Sequence, residues 1–195
     1  MSGRPFHTYV RQNIFLPAGM TSSAYYTRPD WLTDRRIAHP YIYQSDGTRV
    51  DGVRNLDAGA VLNGGTGTNA ARAFLGSGGG GGFSTVRDLL RFAQALEQPG
   101  KLLKRAYAEL YLSPKFPPAP LPGMPPPTGY PFAAYGPSSG ITNDQRVIGH
   151  GGGIAGGNTN WTIYRDSDWF GAILCNYDLD IQTIINQERA TVFSA

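Results

Sequence analysis

Apolar positions recur at helical spacing in several short stretches and alternate in one block near the C-terminus. Phe6, Tyr9, Val10 and Ile14 repeat at the helical period, which predicts a helix over residues 5–15 with Pro5 at its first position. Leu16-Pro-Ala-Gly-Met20 ends it. Val86, Leu89, Leu90, Ala93 and Leu96 line one face of a second helix, with Arg87, Asp88, Arg91 and Gln94 on the other. Ser84 or Thr85 caps it, with Asp88 three residues beyond Thr85, the spacing of a capping box. A third helix is expected over Leu102 to Leu112, stopped by Pro114. A terminal helix is expected over 181–193, where Ile181, Ile184, Ile185 and Val192 share a face. Asn160 to Tyr164 alternates as a strand, Arg165 to Asp168 reads as a turn, and Trp169 to Asn176 returns, the pattern of a hairpin. Arg146-Val-Ile148 leads into the glycine-rich Gly149-His-Gly-Gly-Gly153. Residues 21–72 show no long period, and short strands joined by turns such as Ser45-Asp-Gly47 are expected there. No internal repeat is apparent.

Composition narrows the class. At 195 residues and 41% hydrophobic, the chain can build one domain, or two small ones, with a real core. Gly 26 and Pro 15 together make about a fifth of the residues, so turns and long loops are expected without wholesale disorder. Nine of those prolines fall within residues 114–131, an extended excursion too long for a tight connection. Charged residues are only 16%, the net charge is +3, and the basic pairs Arg35-Arg36 and Lys104-Arg105 do not extend. A nucleic-acid groove needs a basic stripe, so no nucleic-acid partner is expected. Cys175 is the only cysteine, which excludes an intramolecular disulfide framework. In its apolar strand it reads as a small buried hydrophobe. No apolar run approaches the roughly 20 residues of a membrane helix. The N-terminus as written lacks a signal peptide's apolar region, and the localisation stays open.

Several motifs suggest chemistry. Gly76, Gly78 and Gly81 spell G-x-G-x-x-G inside a run of glycines. No clear strand precedes them, so a dinucleotide fingerprint is not supported. His7, His39 and His150 are far apart in sequence and show no metal-ligand spacing, so neither cofactor nor metal is expected. Gly136-Pro-Ser-Ser-Gly140 spells G-x-S-x-G, but no amphipathic helix follows it, and a nucleophile elbow needs one. A turn is the better reading, with an unrelated esterase using Ser138 and His150 as the rival. Gly149-His-Gly-Gly-Gly-Ile-Ala-Gly-Gly157 reads either as a glycine-rich bulge or loop, or as backbone that approaches a ligand closely beside one histidine.

Three segments in order resemble the serine β-lactamase and penicillin-binding-protein superfamily, nearest its class C-like branch of β-lactamases, esterases and D-aminopeptidases. The first runs from Ser2-Gly-Arg-Pro-Phe6 through Tyr9 to Leu16-Pro-Ala-Gly-Met20, similar to that family's SGxP…PLGM segment. The second is Gly81-Gly-Phe-Ser-Thr-Val-Arg-Asp88 with Arg91-Phe92, like its GGxxSTxxDLxRF. The third is Gly149-His-Gly-Gly152 with Gly156 and the hairpin after it, which resembles its GHxGxxxG and closing strands. The resemblance implies an α+β sandwich, here a partial β-lactamase-like fold with antiparallel strands and flanking helices. It implies His150, Gly152 and Gly153 as catalytic positions and Gly151 and Gly156 as substrate-binding ones. His150 would orient substrate or assist proton transfer, and the Gly153 N–H would form half of an oxyanion hole.

The chain departs from the family pattern at the nucleophile. Its lysines are Lys101, Lys104 and Lys115, preceded three positions earlier by Gln98, Lys101 and Leu112, so no Ser-x-x-Lys exists. No Asn has Tyr or Ser two positions before it, so the second family motif is absent too. The resemblance therefore implies the C-terminal half of a hydrolase of amide or ester bonds, a single incomplete domain over 1–195, with little turnover alone. Its last strand, around Ile173-Leu-Cys175, would lack a neighbour. Such an edge invites self-association or a complementing N-terminal segment. A non-catalytic binding module of the same fold is the alternative. Relatives are often exported.

Overall fold

The computed structural model describes residues 2–57, 76–117 and 132–194. Its centre is a five-stranded antiparallel sheet in the order β3-β4-β5-β6-β7: β3 (Phe132–Ala133), β4 (Ser138–Thr142), β5 (Gln145–Ile154), β6 (Gly157–Tyr164) and β7 (Trp169–Cys175). Each strand is the next in sequence, so hairpins build the whole sheet. Asn143 and Asp144 join β4 to β5 with positive φ at both residues, as a two-residue primed turn requires. A separate two-stranded ribbon, β1 (Tyr41–Tyr43) and β2 (Arg49–Asp51), turns through the expected Ser45-Asp-Gly47.

Helices cover both faces of the sheet. Ile148 and Ile163 project to one face and pack with Ala93 and Leu96 of α4 (Val86–Glu97) and Leu112 of α5 (Arg105–Leu112). Phe92 meets Trp161 edge-to-face at 5.6 Å. Val147 and Tyr164 project to the other face, against Val192 and Phe193 of α6 (Gln182–Phe193). The Tyr164 hydroxyl donates to Glu188 Oε1 at 2.9 Å. These paired faces confirm the α+β arrangement expected of a partial β-lactamase-like fold.

The N-terminal helix is longer than its apolar period. α1 (Phe6–Val10) continues through a π-helical turn (Arg11–Phe15) into α2 (Leu16–Ala18), and Gly19 closes it with φ +77°. Pro5 stands at the N-cap, one place before the first helical residue. A helix absent from the periodicity, α3 (Arg28–Thr33), lies where short strands were expected. It is only six residues long and is set by a capping box between Thr27 and Asp30 rather than by an apolar stripe. α5 starts at Arg105, not Leu102.

Thr85 does cap α4, accepting the Asp88 N–H at 3.2 Å. Asp88 itself is buried, not on a solvated face. Its carboxylate accepts the Ser22 N–H at 2.7 Å, the Ser23 hydroxyl at 2.8 Å and Arg91 Nη1 at 3.1 Å. The incoming loop is thereby tied to the helix start. The glycine run folds as a tight turn in which Ser77 and Gly80 exchange backbone hydrogen bonds of 2.8 and 3.2 Å. A Cβ on Gly76 would lie 2.4 Å from the Gly81 carbonyl oxygen, so this glycine serves close chain packing. Of the proline-rich segment, residues 118–131 lie outside the described residues, as do 58–72 of the unpatterned stretch. Phe116 bridges to Ala133 at the margin of β3.

Candidate functional site

β5 changes neighbours halfway along. β4 pairs with it only as far as Ser138 opposite Gly149. β6 accompanies it to Ile154 opposite Gly157. Beyond Gly149, no described strand flanks the outer side of β5. The stretch read as either loop or ligand approach is thus regular strand, one long element from Gln145 to Ile154.

The ladder fixes where the backbone groups of that stretch point. The Arg165 N–H donates to the Arg146 carbonyl at 2.9 Å, so even-numbered residues of β5 aim their N–H and C=O at β6. Odd-numbered ones aim away. Gly151 and Gly153 therefore present N–H and C=O to the open side, where β4 has ended. A cleft of about 210 Å³ lies elsewhere, lined by His7, Thr8, Arg11, Phe15, Ala24 and Tyr25. The site on β5 is a strand edge rather than that cleft.

Side chains follow the pleat. His150 lies opposite Trp161, on the face that packs against α4, but it is exposed where Ile148 on the same face is buried. Ser138 lies opposite Gly149 and so turns to the α6 face. Ser138 and His150 point to opposite faces, and the sheet does not bring them together as a dyad. Ser138 begins strand β4, which corrects its assignment to a turn. His7 lies on α1 and contacts the Gly76 carbonyl at 2.6 Å. His39 contacts Asp51 at 2.6 Å and the Trp31 carbonyl at 3.0 Å. Neither shares β5.

The glycines differ in what they permit. A Cβ at Gly153 would lie 2.8 Å from Asn158 Oδ1, while at Gly151 the nearest atoms stand at 3.4 and 3.5 Å. A side chain at Gly153 would make Asn158 shift, whereas Gly151 has room. Gly156, buried at the β5–β6 tip with φ +77°, sits against the chain at Pro40–Tyr41, where a Cβ would come within 2.9 Å of the Tyr41 nitrogen. Its N–H donates to the Asp178 carboxylate.

At the opposite end of the sheet, arginines hold the hairpin base. Arg165 donates to Glu97 at 3.1 Å and to Glu109 at 2.6 and 2.9 Å. Arg146 grips Asp166. Hydrogen bonds from Arg165 and Arg146 hold the Glu109 and Asp166 carboxyls below their ordinary range. Sequence reasoning missed this network, and it missed Asp178 and Asn158 at the hairpin tip. Their signal is faint. Asp178 reads as one polar residue after a strand, and Asn158 as one strand residue among others.

A family model for Beta-lactamase matches residues 1–190. A search of the curated proteins found no match. Among solved structures, the chain is similar to a penicillin binding protein from Bacillus halodurans, with a TM-score of 0.77 and 20% identity over 97% of this chain and 51% of that one. It is similar to an octameric penicillin-binding protein homologue from Pyrococcus abyssi, with a TM-score of 0.69 and 18% identity over 91% of this chain and 35% of that one. It is also similar to a D-amino acid amidase from Ochrobactrum anthropi SV3, with a TM-score of 0.63 and 20% identity over 90% of this chain and 44% of that one. The chain spans about half the length of these structures or less. At such identities the structural likeness speaks to the fold, and the match over nearly the full length speaks to descent: this chain belongs to the Beta-lactamase family.

Proposed function

We propose that this chain forms the oxyanion-side wall of a serine hydrolase cleft that cleaves amide or ester bonds through an acyl-enzyme. One observation carries the reading: Gly151 and Gly153 turn their N–H groups to an open strand edge beside an exposed histidine. A substrate carbonyl oxygen placed there accepts a hydrogen bond from the Gly153 N–H. That bond strengthens as charge develops on the oxygen. His150 orients the substrate or assists proton transfer. Gly151 and Gly152 keep side-chain bulk off the strand, and Gly156 fixes the hairpin tip.

With neither Ser-x-x-Lys nor Tyr-x-Asn in its 195 residues, the chain has no nucleophile of the family type. We expect binding without turnover. The test pairs two measurements. A fluorescent penicillin and a fluorophosphonate are expected to leave the chain unlabelled. Acetyl-D-alanyl-D-alanine is expected to shift the amide resonances of Gly151 and Gly153. A covalently labelled serine would overturn the absence of a nucleophile, and Ser138→Ala would show whether it is Ser138. No shift at those glycines up to millimolar peptide would overturn the site.

A second reading concerns partners. Among the described residues β7 is the outermost strand of the sheet, and its ladder to β6 leaves the N–H and C=O of Phe170, Ala172 and Leu174 facing outward. No charged residue interrupts Trp169–Cys175, and charge is the usual guard of an edge. We propose that this edge pairs with a second copy or with a complementing segment. Sedimentation equilibrium is expected to find association that Leu174→Lys weakens. A monomer that melts cooperatively and sharply would contradict it.

A further inference from the structure

We infer that Asp178 is a positioning residue for the Gly151–Gly153 edge, an assignment that rests on the reading of that edge as the oxyanion strand. Asp178 is buried just after β7. Its Oδ1 accepts the Gly156 N–H at the tip of the β5–β6 hairpin. Its Oδ2 accepts the Tyr43 N–H in β1 at 3.0 Å. One carboxylate therefore joins the hairpin tip to the small ribbon, and each oxygen has one backbone donor. A buried backbone N–H that loses its acceptor is costly, so the tip is held to this geometry.

The neighbours of Asp178 act in the same direction. The Tyr41 N–H donates to the Asn176 carbonyl, and Asn176 Nδ2 donates to the His39 carbonyl, both at 2.9 Å. Residues 176–178 are thus stitched along 39–43. The tip rests on that seam, with Gly156 against Pro40 and Tyr41. The returning strand is held as well, because Asn158 Nδ2 donates to the Leu179 carbonyl at 2.6 Å. Asn158 lies opposite Gly153, and its Oδ1 occupies the space above that glycine. Both arms of the hairpin tip are therefore anchored on residues 178–179, one through Gly156, three residues beyond Gly153, and the other through Asn158, directly opposite Gly153. On its outer side, Gly153 has no strand among the described residues to fix its direction. The anchor at the tip supplies what a neighbouring strand would otherwise supply.

The test compares Asp178→Asn with the parent chain, both labelled with nitrogen-15. Asparagine keeps the size but turns one of the two acceptors into an NH₂ donor facing a backbone N–H. The Gly153 and Gly156 amides are expected to shift, and the Gly156 amide to exchange faster with solvent, while Val147 and Ile148 stay put. Affinity for acetyl-D-alanyl-D-alanine is expected to fall by about tenfold, a modest displacement of one recognition group. Ala93→Gly serves as the control for general weakening: it lowers the melting temperature without moving the Gly153 amide. Unmoved Gly153 and Gly156 amides in Asp178→Asn would overturn the inference. So would an equal response in Ala93→Gly. If the parent binds no peptide, the reading of the site fails, and the amide shifts alone still decide whether Asp178 positions the strand.

Discussion

The two halves of β5 share one strand and differ in almost everything else. Gln145–Gly149 is paired on both sides, and Val147 and Ile148 fill the two faces of the core. Among the described residues His150–Ile154 pairs only with β6; it carries three successive glycines and is exposed. The inner half converts side-chain burial into stability. The outer half gives up side chains and a neighbour and leaves backbone groups available to a ligand. Regular strand geometry continues across the junction, so the rigid half aims the open one.

The comparison can be broken at either half, and the largest effect belongs to the inner one. Ile148→Ala removes a side chain buried between α4, α5 and β6. It is expected to cost about 2–5 kcal/mol, read from urea unfolding. His150→Ala, two residues away on the same face, is expected to change stability by no more than about 0.5 kcal/mol while weakening peptide binding. Equal stability losses from the two would erase the distinction.

Within the outer half, Gly153→Ala and Gly151→Ala separate a crowded glycine from one with room. At 153 the new methyl displaces the Asn158 side chain, which then loses its bond to Leu179. A loss of about 1 kcal/mol, one net hydrogen bond, is expected together with weaker peptide binding. At 151 the methyl meets ordinary contacts, and stability is expected to hold or rise slightly, because Ala suits a strand interior better than Gly. Calorimetry on both variants checks the order.

The smallest effect is electrostatic and lies at the sheet's other end. Glu109 and Asp166 titrate below their ordinary range because Arg165 and Arg146 bond their charged forms. Groups depressed in the folded state stabilise above the unfolded value of about 4. That contribution is lost as pH falls through the lower folded values. Both carboxylates are partly exposed, so each pair is worth roughly 0.2–1 kcal/mol. Thermal melts from pH 6 to pH 2 are expected to show Glu109→Gln losing less stability on acidification than the parent.

Much of this was legible in the sequence, and for identifiable reasons. α4 has a clean apolar stripe and a Thr85 cap, and β6 alternates before the apolar run of β7, so local pattern and tertiary burial agree there. α3 is too short for a period, and its cap alone announces it. β4 was missed because Gly136 to Gly140 carries turn residues, and only pairing with β5 makes Ser138–Thr142 a strand. His150 and its glycines stood out as a motif. Asp178 did not, because its role comes from contacts 22 and 135 residues away in sequence. Ser138 with His150 shows the opposite hazard, since a suggestive pair of residues is separated by the pleat of the sheet.

The central claim is that Gly151 and Gly153 offer backbone donors that no described strand takes up. Residue-resolved amide hydrogen exchange on the parent chain tests it most directly. The account predicts alternation beyond Gly149, with the amides of His150 and Gly152 protected by β6, those of Gly151 and Gly153 exchanging readily, and those two slowing when peptide is added. Uniform protection from Val147 to Gly153, or fast exchange at all of His150 to Gly153, would contradict it.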